Sequence, residues 1–254
     1  MLPFFRKIRY RLAKDNQFFK YSRYAIGEIV LVVVGILIAL QVNDWNDQRK
    51  LRKEEKNALM RLHKESELVV EYVKERQESR EYLLIQMEKA AKALQERSLE
   101  NIEETDFGMG IFLAGIYQAV SPPRSTFDEL KSSGKIQLIQ SNQIQEAISD
   151  YYVDLDYINV QLVYFRNQFT DPVSAAPNDY WFTYNPDFEM KINWNFDFEN
   201  LANNRVFVSK HTKALRDQIV FQKYYKEHLL PSAQEMCRKL GTALDASCSS
   251  EINN

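Results

Sequence analysis

Cysteine is nearly missing from this chain of 254 residues, and the two present, Cys237 and Cys248, lie close together near the C-terminus. With no CxxC pair and no neighbouring histidine, a structural zinc site is not expected. An oxidising compartment would join them in a small disulfide loop, whereas a reducing one would leave two thiols. Glycine and proline number only seven each, too few for the turn-rich chain of an all-β fold, while long stretches of Glu, Lys, Leu, Gln and Ala favour helix. The three histidines, His63, His211 and His228, have no His or Cys three or four positions on. The closest approach to a metal motif, His63 with Glu67, is of a kind that commonly decorates a solvated helix face. An excess of one charge is lacking too: 27% of residues are charged but the net charge is -2. Basic and acidic residues are interspersed, so the electrostatic footprint of a nucleic-acid binder is not there. Nor is there a Gly-x-Ser-x-Gly elbow, an HExxH pair or a glycine-rich nucleotide loop. Close carboxylates such as Asp154 and Asp156, or Glu54 and Glu55, are ordinary on helix surfaces and do not by themselves argue acid–base chemistry. Neither a cofactor nor an enzyme is expected.

Long hydrophobic runs are absent with one exception, residues 25–42 (AIGEIVLVVVGILIALQV). Helical rise places the flanking Tyr24 and Trp45 about 31 Å apart, matching a hydrocarbon layer of ~30 Å with an aromatic anchor at each interface. The run reads as a single transmembrane helix. It is too long for a signal peptide and offers no small-x-small cleavage site. Seven cations precede it in residues 1–24 against the single Asp15, which puts the N-terminus on the cytoplasmic side. The cations from Arg49 to Arg61 work against that bias and are diluted by Asp44, Asp47, Glu54 and Glu55. The basic arm, with Phe4, Phe5, Phe18 and Phe19 among its cations, is either an amphipathic surface helix or a plain topogenic flank. Glu28 sits one turn inside the run, where it can reach the interface or pair with Arg23 or Lys20. Glu28, Val32, Gly35 and Ala39 also share one helical stripe, and Gly35-x-x-x-Ala39 would let two such helices approach closely.

From Asn43 to about Arg97 no proline or glycine interrupts the chain, and apolar residues recur at Leu51, Ala58, Leu62, Val69, Val73, Leu83, Met87, Ala90 and Leu94, which predicts one long helix. Residues 107–117 (FGMGIFLAGIY) are apolar all round yet too short to span a bilayer, so they read as a buried helix whose glycines permit close packing. Ser125 with Asp128 suggests a capping box, and Gly134 a helix stop. After Ser141, Ile144, Ile148, Tyr151, Leu155, Ile158, Leu162, Phe165 and Phe169 predict a further helix, ending before Asp171-Pro172. Residues 180–199 switch to period two and resemble a β-hairpin with one aromatic face, including Tyr180, Phe182, Trp194 and Phe196. That face is either a partner surface or, preferably, a lid packed on the helices, because rings of this size usually end up buried. A last helix over about 203–240 would face Val208, Leu215, Ile219, Leu229, Met236 and Leu240 inward, with Pro231 kinking or splitting it.

YAIGEIVLVVVGILIALQVNDWND and, less specifically, STFDELKSSGKIQLIQS resemble the shared signature of a family of uncharacterised single-pass membrane proteins of Gram-negative bacteria. The resemblance implies a bacterial inner membrane with a periplasmic domain, and it carries over no catalytic or ligand residue.

The expected fold is therefore mainly α: a basic cytoplasmic arm (1–24), a transmembrane helix (25–42), an antiparallel helical bundle (43–244) with a small hairpin insertion (180–199), and a flexible tail (245–254). The expected function is non-enzymatic tethering through protein contacts or through self-association of the transmembrane helix, with membrane lipids as neighbours and no nucleic acid. A periplasmic ligand sensor signalling through a partner protein is the alternative.

Overall fold

A computed structural model describes residues 17–168 and 172–248. Most of the basic arm and Phe169 lie outside the described residues, as does the side chain of Tyr24, one of the two expected interface anchors. The chain is mainly helical with one small sheet. Its elements are α1 (Gln17–Glu96), α2 (Glu104–Ala114), α3 (Ser125–Ser132), a 3-10 turn (Lys135–Leu138), α4 (Asn142–Gln168), a second 3-10 turn (Pro172–Ala175), β1 (Tyr180–Tyr184), β2 (Ile192–Phe196), α5 (Phe198–Asn203), α6 (Arg205–Tyr224), a π turn (Tyr225–Leu229) and α7 (Leu230–Ala243). Contacts divide the chain into two compact units, residues 1–56 and 57–254.

The described part of the first unit is helix alone. Ile26 to Val42 is exposed on every side, as is Trp45 at 67%, and nothing approaches within 4 Å of a Cβ built on Gly27 or Gly35. Among the described residues this is the one helix long and apolar enough to cross a membrane. Glu28, Val32, Gly35 and Ala39 all lie on this bare segment.

The second unit holds its stability in two main cores. The larger joins Ala58, Leu62, Val69 and Val73 of α1 to Ile144, Ile148, Tyr151, Leu155, Ile158 and Leu162 of α4, and to Leu229, Met236 and Leu240 near the C-terminus. The periodic apolar residues of α1 and α4 thus fall on their inward faces, except Leu51, which is exposed. α1 ends where Arg97 turns left-handed (φ 54°) and Ser98 N–H donates to the Ala93 carbonyl at 3.1 Å, closing the last turn. The smaller core is aromatic and gathers Phe107, Tyr180, Leu201 and Phe207 around Ala90 and Leu94.

Several local readings change. α3 is not closed by a capping box: Asp128 instead pairs with Arg124, and the carboxylate of Glu65 on α1 accepts from Thr126 N–H at 2.6 Å, Phe127 N–H at 3.1 Å and Ser125 Oγ at 3.3 Å. A remote carboxylate serves a helix start as well as a local side chain does, because the free N–H groups and the helix dipole both favour an anion there. Arg61 and Glu129 form a second tie between α1 and α3. The strands are shorter than the alternation implied. Phe188 and Met190 lie in the loop, where Lys191 takes a left-handed conformation (φ 59°), and Phe198 opens α5. Ile219 is 44% exposed instead of facing inward. The last helix is continuous through Pro231 and carries a π turn just before it, which accommodates a residue that cannot donate to the carbonyl one turn back. The tail is held as far as Cys248, which is buried and disulfide-bonded to Cys237 with their Cα atoms 5.8 Å apart.

Candidate functional site

The aromatic hairpin packs on α2, and two glycines make that approach possible. A Cβ on Gly108 would lie 2.6 Å from Trp194 Cβ, and one on Gly110 would lie 2.4 Å from the Gln86 carbonyl oxygen of α1. α2 is therefore pressed between α1 and the hairpin. Register pairs Tyr180 with Phe196 and Phe182 with Trp194, so all four rings share one face. Phe196 meets Phe107 edge-on at 4.8 Å, and Phe182 meets Phe112 at 5.9 Å. Tyr180 is only 1% exposed and donates its hydroxyl to the Gly108 carbonyl at 2.9 Å, so it belongs to the core rather than to a contact surface. Phe182 remains 43% exposed, while Trp194 and Phe196 are half-buried. Full burial of a ring contributes roughly 1.5–3 kcal/mol, and the half-buried rings contribute correspondingly less.

Beside this lid lies a cavity of about 350 Å³. α1 lines it with Arg76, Arg80 and Leu83, α2 with Phe112 and Leu113, and the hairpin loop with Met190. Its walls are mostly apolar, its two cations are both arginines, and no acidic residue is among the described residues that line it. Arg80 Nη2 donates to the Gln218 backbone carbonyl at 3.2 Å and to Gln218 Oε1 at 2.9 Å, and its guanidinium lies over the rings of Phe221 and Tyr225 at 5.3 and 5.1 Å. Its Nε is buried without a hydrogen-bond partner. Burial is the main reason its pKa is held below the ordinary arginine value. Arg76 is half-buried, donating to Gln118 Oε1 at 2.6 Å and to the Tyr72 hydroxyl at 3.3 Å. Carboxylates on α1 and α6 serve other cations: Glu81 pairs with Lys226 at 2.7 Å, and the fully buried Asp217 with Lys213 and Arg216 at 2.8 Å each.

α6 shapes this region with polar side chains turned inward. His211, Asp217, Gln218 and Gln222 are all buried. Gln218 Nε2 also donates to the Ile116 carbonyl at 3.1 Å, and Gln222 Nε2 donates to Gln77 and Glu81 of α1. His211 Nε2 reaches the Gly110 carbonyl at 3.4 Å, and complete burial pushes its pKa down to about 4. Among the described residues, no group of three or more His, Cys, Asp or Glu converges as a metal ion would need.

The expected site residues fall in three separate places: the bare apolar helix, the hairpin face and the disulfide. The two arginines were not singled out from the sequence. Their signal was the gap between Val73 and Leu83 in the otherwise regular apolar series of α1, where both lie. A second omission is the outer face of α4, where Val153, Tyr157, Val160 and Tyr164 stand exposed at four-three-four spacing. A helix apolar on two faces was the available sign.

A model of a family of unknown function, DUF6090, matches residues 28–202. No curated protein and no solved structure matches the chain.

Proposed function

The chain belongs to DUF6090, and because that family has no assigned activity to inherit, we propose on physical grounds that it is a non-enzymatic, single-pass protein of a bacterial inner membrane that tethers a periplasmic helical bundle and acts through protein contacts. One observation carries this reading: among the described residues nothing covers the segment Ile26 to Val42, and an exposed helical run of this length made mostly of Ile, Val and Leu is tolerable in a bilayer but not in water. The disulfide between Cys237 and Cys248 supports an oxidising compartment for the second unit. The stripe Glu28, Val32, Gly35 and Ala39 is the contact face within the membrane, with Trp45 as interface anchor and Tyr24 as its counterpart.

The chain should resist alkaline carbonate extraction from membranes, and a reporter fused after residue 254 should be active only outside the cytosol. Recovery of the chain in the soluble fraction, or a reporter active in the cytosol, would overturn the proposal. Purification from native membranes should bring down a second membrane protein or crosslinked copies of the chain.

The alternative of a periplasmic ligand-sensing module draws on a different observation, the arginine-lined cavity beside α2.

A further inference from the structure

We propose that the cavity between α1, α2 and the hairpin loop is a binding site for a small organic anion with an apolar body, of the acyl or aryl carboxylate class. This rests on the ligand-sensing reading and adds the chemistry of the ligand. Arg80 is partly buried, and a guanidinium drawn out of water is costly to leave without an anion. Arg80 has only the neutral oxygens of Gln218 and two ring faces as partners, and among the described residues no carboxylate lies within ion-pair distance. Arg76, one helical turn away on the same wall, supplies a second guanidinium, so an anionic head in the cavity would meet two positive charges. Leu83, Met109, Phe112, Leu113 and Met190 form the apolar remainder. A volume of about 350 Å³ suits a small ligand rather than a lipid with two chains. Methionine on two walls lets the site adapt to the body of the ligand.

Gln218 positions Arg80 from 138 residues away, and the loop carrying Met190 is the cavity's hairpin wall. A ligand anion would therefore join α1, α6 and the hairpin through one charge.

The test is calorimetric titration of the full chain in phosphatidylcholine nanodiscs, corrected against empty discs, with three probes: octanoate, its neutral analogue octanamide, and acetate as the head alone. Octanoate should bind saturably and at least tenfold more tightly than either of the others. Arg80→Gln and Arg76→Gln should each weaken it at least tenfold. Ser79→Trp, which adds bulk at an exposed position on the cavity wall and leaves both arginines in place, should abolish binding without changing helical content. Equal binding of octanoate and octanamide overturns the anion assignment while leaving the cavity a ligand site, and the same holds if neither arginine substitution weakens octanoate. Binding of none of the probes overturns the ligand-sensing reading with it. Binding that survives Ser79→Trp with the fold intact places the ligand elsewhere and overturns the site. Replacing phosphatidylcholine with phosphatidylglycerol separates the two sources of anion. Unchanged octanoate affinity supports a soluble ligand, and competition by the discs themselves would overturn it in favour of a lipid headgroup.

Discussion

Two apolar glycine-bearing helical segments, residues 26–42 of α1 and residues 107–114 of α2, have similar composition and opposite surroundings. In the first, nothing comes within 4 Å of a Cβ placed on Gly27 or Gly35, and the flanking Ile, Val and Leu side chains are exposed. In the second, no residue from Phe107 to Ala114 is exposed, and both glycines are in contact so close that a methyl group has no room. The difference is one of partner. Glycine in α2 has already been used to bring a backbone carbonyl and an indole against the helix, while glycine in the first segment leaves a groove for whatever lies outside the protein. Apolar character says that a segment must leave water; it does not say whether protein or lipid will receive it.

Substitution should separate the two segments sharply. Gly110→Ala forces a methyl group against the Gln86 carbonyl and Ala90, both fixed on α1, so it should destabilise the second unit by about 3 kcal/mol despite the better helix propensity of alanine, read as a lower midpoint in denaturant. Acidification probes the same packing through His211, which touches the Gly110 carbonyl. Its buried imidazole stays neutral down to about 4, whereas in the unfolded chain it takes a proton near 6.5. The unfolded state then binds more protons between these values, so stability is full above about 6.5 and falls as pH drops through the window, by up to about 3 kcal/mol. His211→Gln should flatten that slope, and an unchanged slope would place the acid sensitivity elsewhere. Gly108→Ala meets the side chain of Trp194, which can give way with the hairpin, and a smaller loss of about 1–2 kcal/mol is expected, together with a change in indole fluorescence. Gly35→Leu should have the smallest effect on folding, leaving the unfolding midpoint and membrane insertion unchanged while weakening self-crosslinking in membranes. Unaltered crosslinking would remove the stripe of Glu28, Val32, Gly35 and Ala39 as a contact face.

Much of the helical framework was legible from spacing. α1 and α4 announce their inward faces because Val69, Val73, Ile148 and Leu155 recur with the helical period and are the residues the core buries. α6 did not, since its inward face carries His211, Asp217, Gln218 and Gln222, and a hydrophobic pattern rotates such a helix toward Ile219. Those polar side chains are tolerable inside because carbonyls and a guanidinium on other elements meet His211, Gln218 and Gln222, while Lys213 and Arg216 of α6 itself meet Asp217. The start of α3 misled for a related reason. Ser125 and Asp128 have the spacing of a local cap, but Glu65 occupies the free N–H groups from 61 residues upstream of Thr126, and Asp128 turns to Arg124 instead. Of the candidate surfaces, the hairpin was recognisable by its period-two aromatics, yet whether Tyr180 faced a partner or the core depended on what covered it.

By itself the sequence determined that most of this chain is helix and that one apolar run is long enough to span a bilayer, since both follow from propensity, periodicity and length within a few turns of backbone. It also determined the spacing that places Cys237 and Cys248 near one another. Only the tertiary structure decided that α2 is clasped through two glycines, that a distant glutamate caps α3, and that Arg80 lines a cavity beside the hairpin with no carboxylate among the described residues to pair with it. Those outcomes join residues far apart in the chain, and a charge or a hydrogen-bond donor acquires its meaning from the groups that surround it in space.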